Sequence, residues 1–234
     1  MIAARAAVLA IALLAVPVAA ADFDLEATTD LRRNGLSWSA GRPTLVGRGS
    51  VALGDGLSIN AGIAGLRGSA RHGGADLLAE ASLRYTHQAG PWRLWGGIHG
   101  LGFAGASGQN YAQLRAGTAF GIGPLDLSVA ADWAPPQRAI GGSNLHVGAY
   151  ARAGVAGTPL TLTAGIGRST GSDDGSGRAR RLRPCGDYSD FLVEADYVLG
   201  AVTLGASATA TTIDGGCGAA DAGTRLLFRA AIGF

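Results

Sequence analysis

The sequence predicts an all-β protein, an antiparallel up-and-down transmembrane β-barrel of about twelve strands behind a cleaved signal peptide. Three observations carry this. Apolar residues alternate with polar or small ones along nearly all of the chain after residue 21. The breaks between alternating stretches are long and short in turn. The last stretch, residues 224–234, alternates as well and finishes on an aromatic residue.

The amino-terminal stretch sets the compartment. Arg5 precedes an apolar run from Ala6 to Val18, and Ala19, Ala20 and Ala21 follow it. A positive charge, an apolar core and small residues make a secretory signal over 1–21, cut after Ala20 or Ala21. One domain, 22–234, is expected beyond it. That domain has no run near the roughly 18 apolar residues of a spanning helix. If it lies in a membrane it must be a closed barrel, because only helices and closed barrels satisfy all backbone polar groups in lipid.

The elements follow in order. In the first strand Phe23, Leu25, Ala27, Thr29 and Leu31 share one face, and Asp24, Glu26, Thr28, Asp30 and Arg32 the other. A break spans 34–43. The second strand, 44–53, turns at Gly54-Asp55-Gly56, where glycine supplies the positive φ of a tight hairpin. A third strand carries Leu57, Ile59, Ala61 and Ile63 up to a polar loop at 67–74. The fourth sets Leu77, Ala79, Ala81, Leu83 and Tyr85 against Glu80, Ser82 and Arg84, and turns at 88–91. The fifth alternates Trp92, Leu94, Gly96 and Ile98 with Arg93, Trp95 and His99, and leads to a loop near 102–109. The sixth (112–120) and seventh (125–133) flank a turn at 121–124. Residues 135–143 form a loop. The eighth (145–151) and ninth (160–166) flank a turn at 157–159. The longest loop, 170–186, holds Arg178, Arg180, Arg181 and Arg183. The tenth (191–197) and eleventh (202–208) flank Leu199-Gly200, and a loop at 213–222 precedes the last strand. Short turns on one rim and long loops on the other are the outer-membrane pattern, and an even strand number puts both termini on the short-turn rim. Trp92, Trp133, Phe120, Tyr85 and Phe234 fall near strand ends, where aromatic girdles belong.

Composition narrows function. Arginine supplies all the fixed positive charge, and the net charge of +2 is too small to argue for nucleic acid. Two cysteines and four scattered histidines lack metal-ligand spacing, so no metal and no cofactor is expected. Cys185 and Cys217 form an even pair in an exported chain, on the two last long loops, and are candidates for one disulfide.

With apolar faces toward lipid, the opposite faces line a lumen. Its charged candidates are Glu26, Asp30, Arg32, Arg48, Glu80, Arg84, Arg93, Arg115, Asp132, Arg152, Glu194, Asp196, Arg225 and Arg229. Both signs occur among many small residues, which suits a passive channel for small polar solutes or ions. Pairing of arginines with carboxylates inside a narrow, non-conducting barrel is the competing reading. A barrel-embedded lipid-modifying enzyme is a third. Ser143 and His146 are the nearest serine and histidine, but a separation of three on a strand points them to opposite faces. The arginine cluster at 178–183 offers a surface for anionic lipopolysaccharide, against the ordinary reading of a solvated loop.

Residues 29–43 resemble the opening signature of the TorF-type porin family of proteobacterial outer-membrane proteins. That signature reads Ser/Thr-Asp-Tyr-Arg-Phe-Arg-Gly, then Ser, Ser/Thr and Pro. Thr29, Asp30, Arg32, Gly35, Ser37, Ser39 and Pro43 match it, whereas Leu31, Arg33 and Asn34 depart. The resemblance implies a porin-like barrel in the bacterial outer membrane, in contact with lipid and lipopolysaccharide. Phe228, Ile232 and Phe234 on the final strand would then serve as the signal read by the barrel-assembly machinery.

Overall fold

The computed structural model describes residues 19–214 and 222–234. Its strands are β1 (Ala19–Thr28), β2 (Arg32–Arg33), β3 (Leu36–Ser37), β4 (Thr44–Gly54), β5 (Leu57–Ser69), β6 (Ala75–Ala89) and β7 (Trp92–Ala104). They continue as β8 (Tyr111–Ile122), β9 (Leu125–Gln137), β10 (Gly142–Gly154), β11 (Leu160–Thr170), β12 (Tyr188–Leu199), β13 (Val202–Thr211) and β14 (Arg225–Gly233). All but β2 and β3 join one closed ring, in which each strand pairs with its sequence neighbours and β1 closes the circle between β4 and β14. At the seam Leu25 stands opposite Ile232 on β14 and Gly47 on β4. Closure leaves no unpaired edge.

Alternation decides which side chains face out. Phe23, Leu25, Ile63, Ile98, Val193 and Leu226 are all about half exposed or more, on strands from every part of the ring. An apolar belt round the whole circumference suits lipid rather than water. The rim where both termini lie carries Tyr85, Trp92 and Phe234 on the exterior, and Trp92 packs on Phe120 with ring centroids 4.7 Å apart.

The structure corrects the sequence reading in three places. First, the outward face of the first strand runs only to Thr29, which is exposed and still bonded to Phe228. The chain leaves the wall after Thr29 and folds into the lumen, so Leu31, expected outside, is buried there, and Asp30 and Arg32 lie on this inward segment rather than on a strand of the wall. Second, the contrast between rims is uneven. Strands β5, β7 and β9 run on through residues expected in loops, leaving connections of only 70–74, 105–110 and 138–141. Third, the arginine cluster of the longest loop is not a uniformly solvated surface. It forms a short helical turn at Arg178–Arg181, and Arg181 and Arg183 are buried.

Strands lengthen at the long-loop end because that end holds an apolar core inside the barrel. Leu31 and Trp38 of the inward segment pack there with Leu66, Leu78, Phe103 and Ile140. The expected signal peptide over 1–21 falls mainly on residues 1–18, outside the described residues, as does Cys217 of the expected disulfide.

Candidate functional site in the barrel lumen

Between the short-turn rim and the inward segment lies a cavity of about 610 Å³. Strand register builds its wall in rows. One row runs Ser50, Asn60, Ser82, His99 and Gln113, all hydrogen-bonding groups. Another runs Ser58, Arg84, Gly97, Arg115, Asp132 and His146. Inward positions recur every second residue along each strand, which is why these polar side chains meet only in the closed ring.

Charge on the wall is mostly paired. Arg48 donates to Asp24 at 3.0 Å and to Glu26 at 3.2 Å. Arg115 Nε donates to Asp132 at 2.7 Å. Arg229 donates to both oxygens of Asp196 at 2.7 Å, and its reach extends to Glu194 at 3.4 Å and Glu26 at 3.5 Å. Near the short-turn rim Arg93 meets Asp126 at 3.3 Å, and exposed Arg152 stands opposite Asp126 in the ladder. Arg225, at the other end of β14, is exposed.

The inward segment crosses the whole lumen. Arg33 sends Nη1 and Nη2 to Glu80 on β6 at 2.8 and 2.9 Å. Tyr188 on β12 donates its hydroxyl to the Asn34 carbonyl at 2.9 Å. Counting from β1, β12 is the third strand round the ring one way and β6 the third the other way, so the segment ties opposite walls of a twelve-strand ring. Gly35 sits where it does because its φ is +72° and an added Cβ would collide with Thr211 on β13.

A buried polar knot holds this segment. Asp30 accepts from Ser37 Oγ at 2.6 Å, Ser39 Oγ at 2.9 Å and Arg32 Nε at 2.9 Å. Arg32 also donates to the Gly35 carbonyl, the Thr209 hydroxyl and the Gly223 carbonyl. The Leu31 amide donates to Ser39 Oγ and the Trp38 amide to the Leu31 carbonyl, joining β2 and β3 into a small hairpin. Four of the signature positions, Asp30, Arg32, Ser37 and Ser39, are therefore the knot itself.

Above the segment, an aromatic stack caps the long-loop end. His72 lies against Trp38 and Phe103, with ring centroids at 4.5 and 4.9 Å. Arg181 lays its guanidinium 4.0 Å from the Phe103 ring centre and donates Nε to His72 Nδ1 at 3.1 Å. Burial, and then the positive charges of Arg181, Arg71 and Arg33, push His72 down to about 2, so the ring is neutral. Burial also lowers Arg181 to about 10.

Sequence reasoning passed over two features. Arg33 falls between the first strand and the break at 34–43, and nothing in its neighbours marks it as the partner of Glu80. His146 meets Ser169 and Asp190 rather than Ser143, which pairs with Ser172. A serine, a histidine and an aspartate thus come together, but both partners approach the same nitrogen: Nδ1 is 3.0 Å from Ser169 Oγ and 3.7 Å from Asp190 Oδ2. An acyl-transfer triad needs them on opposite nitrogens. The group packs over Gly167, where a Cβ would lie 2.5 Å from His146 and 2.6 Å from Asp190.

No protein-family model matches this sequence, and no curated protein does. Solved structures do. The chain is similar to the KdgM porin at 7% identity, covering 91% of this chain and 98% of that one with a TM-score of 0.61. It is similar to the NanC porin at 9% identity, with 91% and 98% coverage and a TM-score of 0.59. An outer-membrane channel from Pseudomonas putida F1 matches at 16% identity, with 94% and 97% coverage and a TM-score of 0.53. At such identities the shared property is the fold.

Proposed function

We propose that this chain is an outer-membrane channel through which small polar solutes or ions diffuse passively. The observation that carries the reading is the polar, charge-lined cavity inside a closed barrel with an apolar exterior. A wall of alternating charges and hydroxyls replaces part of a solute's hydration while the apolar belt meets lipid. The inward segment is the constriction, set between Glu80 on one wall and Tyr188 on the other. The porin-like neighbours support the reading through their fold, and the match of Asp30, Arg32, Ser37 and Ser39 to the TorF-type signature supports that family as the finer assignment. Phe228 on β14 and Phe234 just past its end face outward, available to the assembly machinery, and the long-loop rim faces lipopolysaccharide.

A specific observation favours a second reading. The segment that crosses the lumen is tied at both walls, which suits a non-conducting structural barrel. Liposome swelling separates the two. Vesicles holding the refolded chain should swell in arabinose faster than protein-free vesicles, and swelling should slow in a trisaccharide. Equal rates with and without the folded barrel would leave the structural reading standing.

A further inference from the structure

Four arginines line the cavity, and three have a carboxylate partner: Arg33 with Glu80, Arg48 with Asp24 and Glu26, and Arg115 with Asp132. Arg84 makes no ion pair or hydrogen bond with any described residue, and its Nε is buried with no acceptor. The Nη groups of Arg84 also have no acceptor among the described residues but are not buried, so they are the donors open to a partner from the lumen. The surroundings of Arg84 are built to hold it. The guanidinium lies 4.4 Å from the ring centre of Trp95. The indole in turn lies over Gly117, where a Cβ would come within 2.5 Å of Trp95 Cζ2. Gly117 thus makes room for Trp95 and Trp95 holds the Arg84 guanidinium over its ring, and a planar fork held in place is pre-organised for a flat two-oxygen partner.

The space in front of the fork is open for the same kind of reason. Arg84 pairs in the ladder with Gly97, and Gly97 with Arg115, so the two arginines flank a residue that has no side chain. A Cβ at Gly97 would collide with the Leu83 carbonyl, so this floor is bare because the wall admits nothing else there. Asp132 neutralises Arg115 from its far side. Arg93, the other cationic neighbour, has Asp126. One positive charge is left over at this point of the wall. The adjacent row supplies Asn60, Ser82 and Gln113 toward the constriction.

From this geometry we infer that the floor between Arg84 and Arg115 is a binding site for a small organic carboxylate, gripped through both oxygens by Arg84, with its remaining polar groups turned to Asn60, Ser82 and Gln113. Trp95 is a positioning residue, acting through Arg84. The inference rests on the lumen being the solute path and names the solute class that the path favours. It is a claim about equilibrium binding, so it can be tested without current.

The test is a titration of the folded full chain in detergent micelles, with sodium acetate replacing sodium chloride at constant ionic strength. Tryptophan emission is the readout, and heat-modifiable gel mobility shows that each variant is folded. The wild type should give a saturable change. Arg84→Gln should weaken binding about tenfold or more, because a bidentate charged contact is lost. Arg84→Lys should fall between, since it keeps charge but not the fork. Trp95→Phe should remove most of the optical signal. A change that does not saturate, or an unaltered curve for folded Arg84→Gln, would overturn the site. If Arg84→Lys binds as well as the wild type, the two-oxygen grip is wrong. A saturable curve in a barrel that passes no current leaves the site standing while the channel reading fails. A conducting barrel with no saturable curve does the reverse.

Discussion

Replacing Glu80 by glutamine should release the inward segment from the β6 wall. Arg33 and Glu80 share two charged hydrogen bonds, at 2.8 and 2.9 Å, and their side chains are 25% and 14% exposed. Exposed pairs contribute at most about 1 kcal/mol. Breaking a fully buried pair costs about 3–5 kcal/mol, because the survivor keeps an unpaired charge. This pair lies between, so about 2 kcal/mol is expected. Glutamine keeps one acceptor but turns an amide N–H toward a guanidinium N–H, and it also loses the contact with His99 Nε2 at 3.2 Å. The cation–π contact of Arg33 with Trp38, at 4.7 Å, remains and caps the loss. A hairpin with a two-residue ladder does not hold alone, so protection of the Leu31 and Trp38 amides reports docking of the segment. Hydrogen exchange at those amides should speed up by about 30-fold, the equivalent of 2 kcal/mol, while β9–β11 amides stay unchanged. Unchanged exchange at Leu31 and Trp38 in a folded Glu80→Gln barrel would refute the tie between segment and wall.

Other consequences follow from the same packing. Asp30→Ala should cost about 3 kcal/mol, read as a lower urea midpoint, because it strips three hydrogen bonds from a buried carboxylate, one of them the charged bond from Arg32 Nε. Gly35→Ala should undock the segment, since the residue needs a left-handed φ and meets Thr211, and exchange at Trp38 again reports it. His72 makes the cap acid-sensitive. Its folded pKa, about 2, lies below the ordinary histidine value of 6.5, so the unfolded cap binds the proton more tightly. The stability it confers is therefore full above pH 6.5 and is lost as pH falls below 6.5, by about 1.4 kcal/mol per unit. His72→Phe should flatten that slope in cap exchange measured between pH 7 and pH 5.

The barrel wall was legible because lipid imposes one rule on every strand. Phe23, Leu25, Ile98 and Leu226 face out for the same reason, and period-2 alternation encodes it residue by residue. The inward segment was not, because alternation runs smoothly from Phe23 through Leu31 while the wall ends at Thr29. Only contacts remote in sequence, such as Arg33 with Glu80 and Tyr188 with Asn34, show the chain turning in. The lumen candidates were readable as a face but not as pairs. That Arg115 is matched by Asp132 while Arg84 has only Trp95 depends on ladder register, which no single strand contains. Arg181 and Arg183 sit in a loop whose composition reads as solvated, and their burial follows from the acceptors Gln109, Ala139 and Ser172 that the ring brings beneath them.

Single-channel recording of the refolded chain in a planar bilayer tests the channel most directly. Stepwise conductance is predicted, with an ion preference that moves toward cations in Arg115→Glu and with larger steps in Glu80→Gln, where the constriction is loosened. A barrel that folds, by heat-modifiable mobility, and yet passes no current in either the wild type or Glu80→Gln would contradict the channel and leave a plugged, structural barrel.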